Sequence, residues 1–344
     1  MRLTRRSFLI GAGVTATAAA LGGGALAQRP SAVATATPVP IRATPIRSLS
    51  VTERDRTRFG ALTFRSGLVL ESELPAFGGF SGLWRSQDGQ DLVALTDNSQ
   101  WLTARVETDD EGRLSGLGEA VMAPLLFTDG RPFRHTRYYD TEGLAIAGGV
   151  AYVTSERTHA VFRFDWSRAG VKARGRPVTL PMEARRRLPR NGGLEAIGVA
   201  PPRSSLAGAL VAIAERSESG ADAPTMGLIL TGATRGTFRV ARSENFDVTD
   251  LAFLPGGEIL LLERSFSLLG GLAARIRRIP ADAVRPGALV DGPAIFRSEP
   301  SQEMDNMEGM ALHREGGETV ITLISDDNFG ALQRTLLLEF ALAG

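Results

Sequence analysis

The 344-residue chain has no cysteine, a single lysine (Lys172) and only three histidines, His135, His159 and His313. Without cysteine there are no disulfides, no thiolate nucleophile, no cysteine-based metal site and no lipid attached through sulfur. The lone lysine argues against a Walker-type phosphate loop and Schiff-base chemistry. No G-x-S-x-G elbow is present: GGFSG around Ser81 has the wrong spacing, so a serine triad through His135 has no motif behind it. Beyond the first 26 residues no apolar run approaches about 20 residues, which argues against a later membrane span. Basic charge is lacking too. The net charge of +1 falls to −2 once the first 27 residues, which hold Arg2, Arg5 and Arg6 and no acid, are set aside. That excludes a basic field for nucleic acid.

What is present begins with Thr4-Arg5-Arg6-Ser7-Phe8-Leu9 and a weakly apolar, glycine-interrupted run to Leu26. The pattern resembles a twin-arginine signal covering residues 1–27, with Ala25-Leu26-Ala27 as cleavage site; a retained membrane anchor is the alternative. Export by the twin-arginine translocation machinery implies a periplasmic or secreted protein without a stable membrane span after cleavage. Residues 28–58, rich in Ala, Thr, Pro and Arg without hydrophobic periodicity, read as a flexible linker. The folded domain is expected over 59–344.

Within that domain one unit recurs: an acidic start, a short apolar strand, a turn, a second apolar strand and a charged end. It reads GGFSGLWRSQDGQDLVALTDNS at Gly78–Ser99 and DTEGLAIAGGVAYVTSER at Asp140–Arg157. It returns at Asn191–Glu218, Asp247–Phe266 and Asp305–Phe329. Aligned on Ser81, Glu142, Glu195, Asp250 and Glu308, the steps are 61, 53, 55 and 58 residues. Such spacing of short strands predicts an all-β propeller of four-stranded blades. Five blades are expected, or six if Phe59–Glu73 belongs to a degenerate one. Ala61–Leu70 would close the ring by supplying the outer strand of the last blade. The inner strands alternate large and small faces, as in Glu142/Leu144/Ile146 against Gly143/Ala145/Ala147; the fourth copy departs, with Leu251 and Phe253 on the small face.

Around an axis, the strand starts would gather Glu142, Glu195, Asp250 and Glu308, with Ser81 in the first blade. The partner strands would add Asp97, Glu156, Glu215, Glu263 and Asp326, beside Asn98, Asn191, Asn306 and Asn328. Carboxylates held that close must protonate, pair with arginine or bind a cation. Oxygen-only donors favour Ca²⁺ or Mg²⁺, so Glu142, Glu195, Asp250, Glu308, Asn306 and Asp326 are the candidate metal ligands. The competing structural account has acids capping turns, with Glu156-Arg157, Glu215-Arg216 and Glu263-Arg264 tying neighbouring blades together. His135, close before Asp140, is a candidate acid or base or else a solvated loop residue. Arg185-Arg186-Arg187 could clamp an anion or lie in solvent.

Taken together, GGFSGL, DTEGLAI with SER, NGGLEAI with AER, LLER, and DNMEGMAL with SDDNF resemble the phytase-like family with esterase-like activity, over about Phe59 to Phe340. The resemblance implies a secreted or periplasmic propeller that hydrolyses phosphoesters or carboxyesters, and the related β-propeller phytases use calcium. Carried over by position, the family-like polar residues are Asp140, Glu142, Glu156, Asn191, Glu195, Glu215, Glu263, Asp305, Asn306, Glu308, Asp326, Asp327 and Asn328. On a metal-dependent phosphoester mechanism, Glu142, Glu195 and Glu308 serve as ligands or bases, and Arg157 or Arg264 stabilises developing charge. A binding propeller without turnover, and a lactone or carboxyester hydrolase, are the alternatives.

Overall fold

The computed structural model describes residues 31–189, 192–217, 219–220, 222–267 and 271–343. The signal-like residues 1–27 and Asn191 lie outside them. Five antiparallel sheets follow one another, with inner strands Phe80–Arg85, Thr141–Ala147, Leu194–Val199, Asp247–Phe253 and Asn306–Glu315. Each inner strand packs against the next, and the last returns to the first, so the ring closes at five blades. Closure uses the two ends of the chain. Leu62–Glu71 pairs with the C-terminal strand Thr335–Leu342 and so completes the fifth blade.

The turns follow from local chemistry. Gly148-Gly149 (φ +55° and +78°) and Gly316-Gly317 (+56° and +89°) supply the two consecutive positive-φ residues of tight hairpins; space is open around all but Gly149, where a Cβ would meet Ser167 Oγ at 2.7 Å. It is chiefly their conformation that demands glycine there. Apolar residues on the two faces of each sheet then pack between blades. Five core clusters result, one per interface: Leu83 and Leu92 meet Leu337 between blades five and one, and Leu144 and Val153 meet Leu95 and Trp101 between one and two. Val161 meets Leu210 between two and three, Ile213 meets Leu261 between three and four, and Leu262 meets Ile321 between four and five.

Two expectations are corrected. The supposed linker is largely structured: Thr37–Pro38 adds to the outer strand of blade one, and Arg42–Ile46 pairs with Leu62–Glu71. Val33, Val39, Ile46 and Leu49 are buried there. Outer strands with one open edge accept such short additions, and proline at an edge does not break the ladder, so composition alone misread this segment.

The second correction concerns register in blade four. Every inner strand carries a β-bulge near its start, between Phe80/Gly82, Leu194/Ala196, Val248/Asp250 and Met307/Gly309, and opposite Val153/Ser155 in blade two. The residues at matching places are therefore Ser81, Glu142, Glu195, Thr249 and Glu308. Asp250 belongs one step on, with Gly82, Gly143, Ala196 and Gly309. Leu251 and Phe253 then fall in line with the large residues of the other blades, and the fourth copy is no exception to the alternation. The small positions are small because adjacent blades touch there: a Cβ on Gly143 would come within 2.1 Å of the Glu195 carbonyl oxygen. Asp250 uses the same closeness differently. It is fully buried, and its carboxylate accepts the Leu251 N–H (2.7 Å) and, across the blade boundary, the Met310 N–H (2.7 Å).

Asp250→Ala would strand two buried donors, at about 1–3 kcal/mol each. We expect about 2–4 kcal/mol lost in urea unfolding, less for Asp250→Asn, and no change in cation response. Intact stability with a lost cation response would instead return Asp250 to the ring.

Candidate active site at the propeller mouth

The bulges turn Glu142, Glu195 and Glu308 toward the axis at the end where the inner strands begin. The partner strands end at the same level, and there register again decides. Asp97, Glu156, Glu215 and Asp326 occupy one place, opposite Gly79, Asp140, Gly193 and Asn306; in blade four that place, opposite Asp247, is held by Arg264. Glu263 faces away, fully buried between Arg275 (2.8 Å) and Arg277 (2.6 Å). The ring of carboxylates is thus interrupted by one guanidinium. Arg264 reaches Glu308 Oε1 at 2.8 Å and Glu215 Oε1 at 3.4 Å. Burial opposes its charge, but Glu308, Glu215, Glu195 and Asp247 outweigh that and hold it above its ordinary range.

Blades two and three carry the most crowded acids. One oxygen each from Asp140, Glu142 and Glu156 lie within 4.8 Å of one another, and so do oxygens of Glu156, Glu195 and Glu215. Glu156 belongs to both groups. It is held by the loop of the next blade, accepting the Gly192 N–H at 2.6 Å and the Gly193 N–H at 3.2 Å. Gly192 is left-handed (φ +83°) and a Cβ there would meet Glu215 Oε2 at 2.9 Å, so the Gly-Gly pair is needed where this backbone passes between carboxylates. Asp140 also has positive φ (+74°) with a side chain, a strained state of the kind that persists where surroundings impose it. Its N–H bonds the Asp97 carbonyl at 3.1 Å, and its carboxylate pairs with Arg157.

The electrostatics follow from burial and crowding. Burial first, then Glu195 and Asp140, pushes Glu142 well above the usual carboxylate range. Burial, Glu215, Glu156 and Glu308 do the same to Glu195, against Arg264. Burial lifts Glu308 to about 8 despite Arg264. Asp97 rises to about 7 through burial and the charges of Asp326 and Asp140, and Asp326 to about 6, chiefly by burial. Two oxygens stay buried without a hydrogen bond: Asp97 Oδ1 and Asn306 Oδ1. The donor set is all oxygen, charged and crowded, which fits a hard divalent cation.

Of the residues expected from sequence, Glu142, Glu195, Glu308 and Arg264 converge here. Asn306 donates to Glu308 Oε1 at 2.8 Å, and Asp326 accepts the Asn328 N–H at 2.7 Å. Arg157 is at the rim, 61% exposed. Two residues do not join them. Asp250 is in the inter-blade contact described above, and His135 is exposed in a short 3-10 helix, Phe133–His135, bonding none of the mouth carboxylates. His159 is nearer: its Nδ1 would be 2.8 Å from a Cβ on Gly193, beside Glu156. The sequence did point to Asp140, Glu156 and Glu215, but as neighbours of the ring or as ties. The simple tie scheme fails, because Arg157 pairs with Asp140 and Arg264 with Glu308 and Glu215, although Arg216 does bond Glu215 (2.9 Å).

A closed five-bladed β-propeller with a carboxylate-lined mouth is the class these features define. Within that class, the chain belongs to the phytase-like family described as having the esterase-like activity of phytase, whose family model matches residues 75–329. No curated protein sequence matches it. Among solved structures, a glutaminyl cyclase of Myxococcus xanthus is similar at 12% identity over 78% of this chain and 92% of its own, with a TM-score of 0.39. A nidogen/laminin complex chain gives 11% identity, 83% and 98% coverage and a TM-score of 0.40. The β-propeller domain of Cps50 (Swd1) from Myceliophteria thermophila gives 11%, 74% and 67%, and 0.35.

The raised carboxylates fix the sign of a pH effect. Glu308 and Asp97 bind protons more tightly folded than unfolded, so their stabilisation is full below about pH 4 and is lost as pH rises toward 8 and 7. His313, buried and lowered to about 4, acts oppositely, but only below about pH 6.5. Between pH 6.5 and 8 in chelator, stability should fall by about 1–2 kcal/mol; saturating Ca²⁺ should remove that fall. A flat profile in denaturant titrations would contradict the crowding described here.

Proposed function

We propose that the mouth is the site of a hydrolase for phosphoesters or related esters that works with a divalent cation, Ca²⁺ by its donor set. The observation that carries the reading is the pair of carboxylate groups sharing Glu156, in each of which three acids bring one oxygen apiece within 4.8 Å of one another. Asp140, Glu142, Glu156, Glu195 and Glu215 would hold the ion. Bound there, it would polarise a phosphoryl or carbonyl oxygen and acidify a water.

The chain's own groups supply the rest. Arg264, kept charged by its acidic neighbours, would bind a substrate oxyanion and stabilise charge that develops on it. Arg157, exposed at the rim, would meet the anion as it enters. Asp97, with one buried oxygen free of hydrogen bonds, and Glu308, fixed by Asn306 and Arg264, are the groups placed to take or return a proton. Glu156 positions the neighbouring loop through Gly192 and Gly193. With its twin-arginine-like leader, the chain would carry this activity to the periplasm or outside the cell, after translocation in folded form.

The test is turnover of p-nitrophenyl phosphate, phytate, p-nitrophenyl acetate and a lactone, each with Ca²⁺ and with chelator. Phosphoester hydrolysis should need the cation, and Glu142→Gln with Glu195→Gln should lower kcat/KM at least about 100-fold. Turnover confined to the acetate or the lactone would make it a carboxyester or lactone hydrolase. No turnover on any of them would leave a binding propeller.

A further inference from the structure

A second charged feature lies away from the mouth, on the outer part of blade two. A cleft of about 380 Å³ is lined by Arg163, Arg168, Lys172, Arg174 and Arg176, with Asp165 as the one carboxylate among its lining residues. The strand Ala160–Asp165, the short helical turns Trp166–Ala169 and Gly170–Lys172, and the strand Arg176–Val178 bring them together. All five cations are exposed, and none makes an ion pair among the described residues. This concentration of positive charge, including the only lysine, stands in a chain whose charge is otherwise balanced or slightly acidic.

Strand register sharpens the point. Arg163 lies directly opposite Arg176, and like charges in facing positions destabilise a sheet. The protein contains the same arrangement once more, in blade four, where Arg275 faces Arg297. There Glu244 bridges the two guanidiniums at 3.6 and 2.7 Å, and Glu263 holds Arg275 from its other side at 2.8 Å. Blade two has no described carboxylate in that role. We infer that the blade-two cleft is a binding site for a small, multiply charged oxyanion of the phosphate class. One of its oxygens or a phosphate edge takes the place that Glu244 takes in blade four, between Arg163 and Arg176. Arg168, Lys172 and Arg174 meet the remaining charge. Guanidiniums suit this ligand because their fork matches two oxygens at once. The site is separate from the mouth and does not depend on the hydrolase reading.

The probe is inorganic pyrophosphate, titrated by calorimetry into the folded protein with EDTA present and ionic strength held fixed. EDTA removes any ion that could bridge the anion to the mouth carboxylates, and fixed ionic strength separates binding from screening. Saturable binding is expected, weakened at least ten-fold by Arg163→Ala with Arg176→Ala. Arg176→Glu supplies within the chain the carboxylate that blade four already has. It should abolish pyrophosphate binding and, without any anion, raise Tm by about 1–3 °C. Unchanged affinity in the double variant would overturn the site, as would a response that sodium chloride reproduces at equal ionic strength. Cation response and ester hydrolysis measured on the same variants report on the mouth alone, so failure of either proposal is visible without the other.

Discussion

Five inner strands converge on one axis, and the space between neighbouring backbones there is the constraint on which the rest of this molecule depends. Glycine or alanine stands at the point of contact in four blades because a Cβ at Gly143 or Gly309 would collide with the adjacent strand. The bulge just before that point inserts one residue that cannot pair in the ladder. Its side chain is turned out of the sheet and toward the mouth. Packing near the axis and the gathering of Glu142, Glu195 and Glu308 at the mouth are thus two results of one backbone device, which is why the acidic positions recur with the small ones.

Convergence also generates the electrostatic problem that the site embodies. Ring carboxylates from four blades are brought into a partly desolvated rim, where their charges raise one another's proton affinity. Blade four relieves part of it. By placing Arg264 where its siblings have an acid, it neutralises the side of the mouth nearest Glu308 and Glu215. The compensation is local, and on the function proposed above Asp140, Glu142, Glu156 and Glu195 would be the acids left to hold a cation. On that proposal, the asymmetry gives a nominally five-fold mouth two distinct ends, one that would hold a metal ion and one that would meet an anion.

Blade four also shows how a repeat can diverge without leaving the fold. Asp250 replaces a glycine at the crowded position and turns proximity into a hydrogen bond to the next blade. Glu263 retreats into the sheet between two arginines. Both look like ring acids in the sequence and neither is one. Glu244, bridging Arg275 and Arg297, marks a further difference from blade two, where the equivalent cross-strand pair of arginines has no such partner.

The sequence alone determined the exclusions that follow from missing cysteine, the all-β character, the number of repeats, the Gly-Gly hairpins and the closure of the ring by its own ends. These depend on composition, on period-two alternation and on spacing, all of which survive in one dimension. It also placed Glu142, Glu195 and Glu308 together, because their repeats match over several residues. The tertiary structure decided what a one-residue shift conceals. A bulge adds a residue without disturbing the apolar pattern on either side, so Asp250 and Thr249, or Glu263 and Arg264, are interchangeable by eye until strand pairing is known. It decided too that residues 37–46 form edge strands, since an edge is defined by the strand beside it and not by its own sequence. Which acid meets which arginine was likewise settled only by tertiary contacts, over separations such as the 49 residues from Glu215 to Arg264.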